Sequence, residues 1–207
     1  RNSRMSPVER LSEFGKISDL VIYQSNWCYE YAGYFISNKN YTIINNGVDL
    51  NIFNKENRIT DGKTYLYINY NDNPNKRFEE ALYRFEMLWR QDNEISLVIA
   101  GNAPKIYIQN PEYNWDLNVP AKVRYVEVLD SPEDVAHLMK RCDFLLYPSF
   151  AEAAPNTLSE AIACGLKPLF LNEVGGTIEM YILHKENPYS IQSMGERYLE
   201  VFNKLVP

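Results

Sequence analysis

The sequence predicts an α/β fold built on a doubly wound parallel sheet. Short apolar runs rich in β-branched and aromatic residues alternate with segments of helical period, the pattern of βαβ units. Many of these runs close on Gly, Pro, Asn or Ser, residues that end strands and open turns. No internal repeat or low-complexity stretch interrupts the alternation.

Residues 19–23 (DLVIY) and 41–44 (YTII) read as short strands, with a helix over 27–36 between them. Asn45-Asn46-Gly47 is a turn signal. Residues 64–70 (TYLYINY) read as a strand, followed by an amphipathic helix over 76–90. Phe78, Ala81, Leu82, Phe85, Leu88 and Trp89 supply its apolar face at the i, i+3, i+4, i+7 spacing. Residues 95–100 (ISLVIA) form a buried strand closed by Gly101, and 102–121, with three prolines, a long loop. A strand over 122–129 precedes a helix over 132–141, for which Ser131 is the N-cap and Pro132 the first residue. Residues 143–147 (DFLLY) are a strand, 155–164 a helix stopped by Gly165, and 169–171 a last strand. Gly175-Gly176 opens a further turn and helix. A tail helix spans 194–205, with Tyr198, Leu199, Phe202 and Leu205 on one face.

Composition narrows the function classes. The 207 residues are 45% hydrophobic and 23% charged, enough for a packed core without covalent staples. The net charge of -6 argues against a general nucleic-acid binder, whose affinity rests on Lys and Arg. Cys28, Cys142 and Cys164 are far apart and form no CxxC pair, and His137 and His184 are the only histidines. Neither a disulfide framework nor a metal site is indicated, and a reducing, cytoplasmic location fits. The longest apolar runs are of strand length, too short to span a membrane. The first residue is Arg, so the chain is expected to begin inside a longer gene product or to have had its start removed.

A doubly wound sheet binds its ligand outside the carboxyl ends of its strands. The candidate stretches are therefore 69–77, 101–103, 128–130, 148–156 and 172–177. The richest is 147–165, YPSFAEAAPNTLSEAIACG. There a strand ends, a loop carries Glu152, and a helix begins near Pro155. Its first turn exposes N–H groups, including those near Asn156 and Thr157, that suit a phosphate. Glu160, a turn further on, can accept both hydroxyls of a ribose.

The spacing Glu152-x7-Glu160, followed by Ala161 and Ala163-Cys164-Gly165, resembles the E-x7-E signature of retaining glycosyltransferases of the two-domain GT-B fold, most closely family 4. Other segments agree in order: Asn46-Gly47-Val48-Asp49 with Phe53, the strand 97–101, the run from 126 to Ser149, and Val174-Gly175-Gly176 with Glu179. The resemblance covers roughly residues 17–182. It implies a Rossmann-like domain that is one half of a GT-B fold. Residues 1–45 are then the last fragment of an N-terminal acceptor domain and its linker. Residues 46–190 form the nucleotide-sugar domain, and 191–207 the C-terminal helix.

The same resemblance implies that a nucleoside diphosphate sugar is the donor substrate and that no metal cofactor is needed. Glu152 would bind donor-sugar hydroxyls and Glu160 the ribose. Lys76 would pair with the diphosphate and stabilise the departing nucleotide. The base would lie against the backbone around Glu127, Val128 and Leu129, and the amides near Asn156 to Leu158 would face the sugar and the phosphates. The acceptor would be a carbohydrate or a lipid-linked molecule, the latter admitting peripheral attachment of the full-length enzyme to a membrane. This sequence departs from the family at Asn69-Tyr70, where Gly-Arg is usual, and Arg77 stands as the replacement cation. Tyr70 and Arg77 thereby join the candidate nucleotide contacts. Two other readings fit these residues: a degenerate binding module, and another GT-B enzyme such as a sugar-nucleotide epimerase.

Overall fold

The computed structural model describes residues 5–36, 40–70, 73–102 and 122–205. Apart from Asn102, the loop expected over 102–121 lies outside them. The first element is a helix absent from the sequence reading, α1 (Pro7–Ile17). It starts where a local signal stands: the Ser6 hydroxyl accepts from the Glu9 N–H, and the Glu9 carboxylate accepts from the Ser6 N–H, a capping box. Strand β1 (Val21–Tyr23), helix α2 (Asn26–Ala32) and strand β2 (Tyr41–Ile43) follow. β1 and β2 pair in parallel. The Tyr29 and Tyr41 rings stack over α2 and β2 with centroids 4.0 Å apart.

The main sheet holds β3 (Thr64–Asn69), β4 (Ser96–Gly101), β5 (Val123–Val126), β6 (Phe144–Leu146) and β7 (Lys167–Leu169). Its spatial order is β5-β4-β3-β6-β7, and every neighbouring pair is parallel. The chain therefore winds outward from β3 in both directions, and the order reverses between β3 and β6. The crossovers carry α3 (Phe78–Trp89), α4 (Pro132–Met139) and α5 (Asn156–Ala163), and α6 (Thr177–His184) and α7 (Ile191–Leu205) close the chain.

Side-chain alternation divides the core into two layers. Tyr65, Tyr67, Leu97, Ile99 and Leu146 pack on Phe78, Ala81 and Phe85 of α3. Leu66, Val98, Ala100 and Leu145 pack on Met139 of α4, on Leu158, Ala161 and Ile162 of α5, and on Met180 of α6. Leu66, Leu97, Leu145 and Leu158 are fully buried, and each is worth about 2 kcal/mol relative to an exposed side chain. Among the described residues no helix is long and apolar enough to cross a membrane.

Several expected boundaries move. The helix expected over 76–90 splits: Pro74–Lys76 forms a 3₁₀ turn and Arg77 turns left-handed (φ 51°) before α3 begins at Phe78. Asn73 caps the turn, its side chain accepting from the Asn75 N–H at 2.9 Å, and Pro74 sits at the first position, which suits its fixed φ. The strand expected at 169–171 lies two residues earlier, because Phe170 adopts φ 62° and ends it. The helix expected over 27–36 stops at Ala32, and the tail helix begins at Ile191 rather than 194. The strand expected over 122–129 is confined to Val123–Val126.

The N-terminal segment is tied to the main domain by polar contacts. Ser25 donates to the Ala153 carbonyl at 2.7 Å. The Glu179 carboxylate accepts from the Asn26 N–H and from the side chains of Asn26 and Asn45. Asn46 donates to Asn156 Oδ1 at 2.8 Å and to the Ala154 carbonyl. His184, fully buried, lies 3.2 Å by its Nε2 from the Asn46 carbonyl, and its Nδ1 accepts from the Tyr189 N–H at 3.3 Å. Those partners require the neutral tautomer with the proton on Nε2.

Burial depresses the His184 pKa below its ordinary 6.5, outweighing the bond to Asn46. The unfolded chain therefore takes up the proton first, so the stabilisation is complete above pH 6.5 and declines as pH falls through the folded value. Thermal melting from pH 8 to 5 should show this acid loss, and His184→Gln, which keeps a donor for Asn46, should flatten it. A second expectation concerns Gly101 (φ 98°), where a Cβ would run into the Asn69 carbonyl oxygen across the β3–β4 pair. Gly101→Ala should destabilise the fold by more than about 1 kcal/mol in urea titration; an unchanged midpoint would mean the strand ends tolerate separation.

Candidate functional site

β3 ends in Asn69 and β6 in Leu146, side by side at the point where strand order reverses. A crevice opens there, because the chain leaves β3 toward α3 on one face and leaves β6 toward α5 on the other. Its walls are Asn69, Tyr70 and Lys76 after β3, Gly101 at the end of β4, Val128 and Leu129 after β5, and Thr157 and Glu160 of α5. Residues from four separate strand ends thus meet in one cleft.

Lys76 and Glu152 form the charged centre of its rim. Their side chains are joined by an ion pair at 2.8 Å, and each is 20% exposed. The Lys76 ammonium lies 5.8 Å from the centroid of the buried Tyr147 ring. Burial and the nearby Glu152 charge both push the Tyr147 phenol upward, so it stays neutral. Backbone geometry holds the pair: Lys76 precedes left-handed Arg77, and Glu152 follows left-handed Ala151 (φ 56°). Such conformations cost about 1–3 kcal/mol each and persist where packing over-determines them. The Glu152 carbonyl accepts from the Gly176 N–H at 2.7 Å, and the Ala151 N–H donates to the Val174 carbonyl. A Cβ on Gly175 (φ 111°) would lie 2.6 Å from the Glu152 carbonyl oxygen. Only glycine there lets the 175–176 turn approach the Glu152 loop so closely.

α5 presents its N-terminus to the same crevice. Pro155 is its N-cap and supplies no side-chain cap bond. The first N–H returned into the helix is that of Ser159, to the Pro155 carbonyl. The N–H groups of Asn156, Thr157 and Leu158 are thus the free donors of the first turn. The Asn156 side chain is engaged by Asn46, whereas the Leu158 side chain is fully buried in the core. Only the Leu158 backbone can serve a ligand.

Glu160 is half-buried in the cleft, and no ion pair or side-chain hydrogen bond holds it among the described residues. Burial pushes its carboxyl above the ordinary 4.5. The site thus contains an acceptor that water serves poorly and that a hydroxyl donor would satisfy.

The structure brings together Lys76, Glu160, Thr157, Val128 and Tyr70 in the cleft, with Glu152 on its rim through Lys76. Arg77 is not with them. Its left-handed backbone turns the side chain away, and the guanidinium lies over the Phe150 ring at 5.8 Å, lining a different pocket. Adjacency to Lys76 did not carry it into the cleft. Asn69 is the residue that pattern reading passed over as a site member. It is 3% exposed, and its Oδ1 is buried at the cleft wall without a partner among the described residues. An Asn at a strand end in place of a small apolar residue was the available signal. Cys142 and Cys164 are buried thiols pushed up to about 12 and about 11 by burial, which makes them inert packing groups. His137 is exposed. Among the described residues no group of three or more His, Cys, Asp or Glu side chains is placed to hold a metal ion.

Comparison with known proteins gives a family and a fold. The family model "Glycosyl transferases group 1" matches residues 49–203. No curated protein matches the chain. Among solved structures, sucrose-phosphate synthase of Thermosynechococcus elongatus superposes with a TM-score of 0.72 at 16% identity, over 94% of this chain and 60% of that one. TarM of S. aureus, in a complex with UDP, has a TM-score of 0.65 at 16% identity, over 95% of this chain and 38% of its own. HepE of Anabaena in complex with UDP-glucose has a TM-score of 0.62 at 18% identity, over 95% of this chain and 56% of its own. This chain therefore spans less than two thirds of each, and at these identities the likeness is one of fold. The match over residues 49–203 includes Lys76, Glu152 and Glu160, and the chain belongs to the group 1 glycosyl transferases.

Proposed function

We propose that the cleft binds a nucleoside diphosphate sugar and that the chain is the donor half of a retaining glycosyltransferase of family 4. The observation that supports this best is the convergence of Lys76, Glu160 and the free α5 donors at the β3–β6 switch point. A diphosphate needs cations and N–H donors, and the α5 N-terminus and Lys76 supply both. A ribose needs a carboxylate, and Glu160 lines the cleft without an ion-pair partner among the described residues. The base lies along Val128 and Leu129. Glu152 and the 175–176 turn face the sugar. The solved HepE complex contains UDP-glucose, a ligand of this class.

In transfer, the bond from the sugar C1 to the diphosphate oxygen breaks and its electron pair stays on phosphate. The acceptor hydroxyl forms the new bond on the same face, and its proton passes to the leaving diphosphate. Lys76 is worth most at that moment, because negative charge grows beside it. The acceptor, a carbohydrate or a lipid-linked molecule, enters from a second GT-B domain.

One observation favours a binding module without activity. Arg77 faces away, so among the described residues Lys76 is the only cation lining the cleft. Calorimetric titration with UDP-, GDP-, ADP- and dTDP-sugars separates the readings in combination with a transfer assay on the full-length protein. One nucleotide class should bind, and Lys76→Ala should weaken it about tenfold, the worth of a charged hydrogen bond. Binding without turnover would select the inactive module, and binding indifferent to Lys76 and Glu160 would remove the cleft from consideration. Glu152→Gln should keep or tighten binding of the free nucleoside diphosphate, since it releases Lys76, while erasing the preference for the sugar-bearing form. Because the raised Glu160 carboxyl must ionise to accept two hydroxyls, affinity should fall on acidification at a higher pH than for an ordinary carboxylate, and Glu160→Gln should remove that dependence.

A further inference from the structure

A second pocket lies on the same strand-end rim, on the far side of α3's first turn from the donor cleft. Glu80 and Arg84 line it from one face of α3, at the i, i+4 spacing, and Arg77 lines it from the N-cap position before the helix. Pro148 after β6 and Asn172 after β7 close it. Both guanidinium groups are held over aromatic rings: Arg77 5.8 Å from the Phe150 centroid, Arg84 5.1 Å from the Phe170 centroid. Both distances lie within cation–π range, so each ring restrains the guanidinium beside it. Arg77 and Phe170 are left-handed, at φ 51° and 62°, so two strained backbones aim one cation and one ring into the same space. The Phe150 N–H donates to the Asn75 carbonyl at 2.8 Å, which anchors that ring to the turn bearing Lys76 and Arg77.

The donor inventory exceeds the acceptors. Arg84 gives its Nε to Glu80 at 2.7 Å and keeps its other N–H groups. No carboxylate pairs with Arg77 among the described residues. Asn172 Oδ1 accepts from the Val174 N–H at 2.9 Å, which leaves its amide N–H groups free. The lining therefore carries one positive charge in excess, and three separate donor groups border one small space. A carboxylate has two oxygens to offer them; a phosphate has three.

We propose that Arg77, Arg84 and Asn172 form a phosphate-binding pocket, distinct from the donor cleft, that receives the anionic group of the acceptor. The acceptor role rests on the donor-cleft reading; the phosphate site does not. The rim order supports the assignment. The cleft, the Lys76–Glu152 pair and this pocket follow one another along the strand ends, so a phosphate held here places the rest of its molecule toward Glu152 from the side opposite the nucleotide. The phosphate could belong to a soluble ester or to a lipid headgroup, and one experiment distinguishes them.

Glycerol 3-phosphate is titrated into the chain by NMR, and flotation is measured with phosphatidylglycerol and with phosphatidylcholine vesicles. Each is repeated for Arg77→Gln, Arg84→Gln and Lys76→Ala, with thermal melting to verify folding. Binding that survives Lys76→Ala and weakens about tenfold in Arg77→Gln is the expected result. Arginine dependence for glycerol 3-phosphate assigns a soluble ester, and dependence for phosphatidylglycerol vesicles alone assigns a lipid headgroup. Loss of binding in Lys76→Ala with none in the arginine variants would place the anion in the donor cleft and overturn the proposal. So would the absence of arginine-dependent binding in both arms. Failure of the nucleotide-sugar titrations beside arginine-dependent phosphate binding would overturn the donor reading and leave this pocket standing.

Discussion

A parallel sheet delivers every strand's carboxyl end to one rim, and the rest of this structure depends on that constraint. β3 is the strand through which it acts. It lies between β4 and β6, paired in register with both, from Tyr65 opposite Phe144 to Asn69 opposite Gly101. Its two faces feed the two core layers through alternating Tyr65, Leu66 and Tyr67. The connections from β3 and β6 then depart to opposite faces, so the rim must open between them. The cleft is a consequence of winding direction before any side chain is specified.

Within that opening, position is set by backbone conformations that most residues avoid. Lys76 and Glu152 sit beside Arg77 and Ala151, both left-handed without being glycine. Neither conformation is favourable by itself. Each survives because a hydrogen bond from the next loop fixes it: Phe150 to Asn75 on one side, Ala151 to Val174 and Gly176 to Glu152 on the other. The loops after β3, β6 and β7 form one hydrogen-bonded rim, and the ion pair is the point where they meet.

This distinction explains what could be read from the sequence. The main-sheet strands and the helices between them were legible because apolar period and burial report the same thing, as in the 64–70 and 95–100 runs. The convergence of Lys76, Glu160, Thr157 and Val128 was also legible, since strand-end logic needs only element order. β7 was misplaced because Lys167-Pro168 is a poor strand pattern; it is an edge strand, where a missing N–H is tolerated. α1 was missed although Ser6 and Glu9 carry its start. The direction of Arg77 was not legible, because the sign of one φ decides it and no periodicity encodes that sign. The burial of Asn69 Oδ1 was hidden for a related reason: no periodicity encodes how tightly neighbouring loops pack on a strand end.

The charges of the cleft argue for a ligand with two chemistries at once. Lys76 is satisfied by Glu152 at 2.8 Å, so a simple anion competes with a partner already in place. Among the described residues Glu160 has no such partner, and burial raises its pKa, so a simple cation or a proton would relieve it. A diphosphate joined to a ribose does both without adding a cation. On the proposed reading the diphosphate would replace Glu152 on Lys76 and accept the α5 N–H donors, while the diol would donate to Glu160. Glu152 is thereby released toward the sugar at the moment the sugar arrives. On this reading the ion pair is a placeholder, and its exchange couples phosphate recognition to sugar recognition through one side chain.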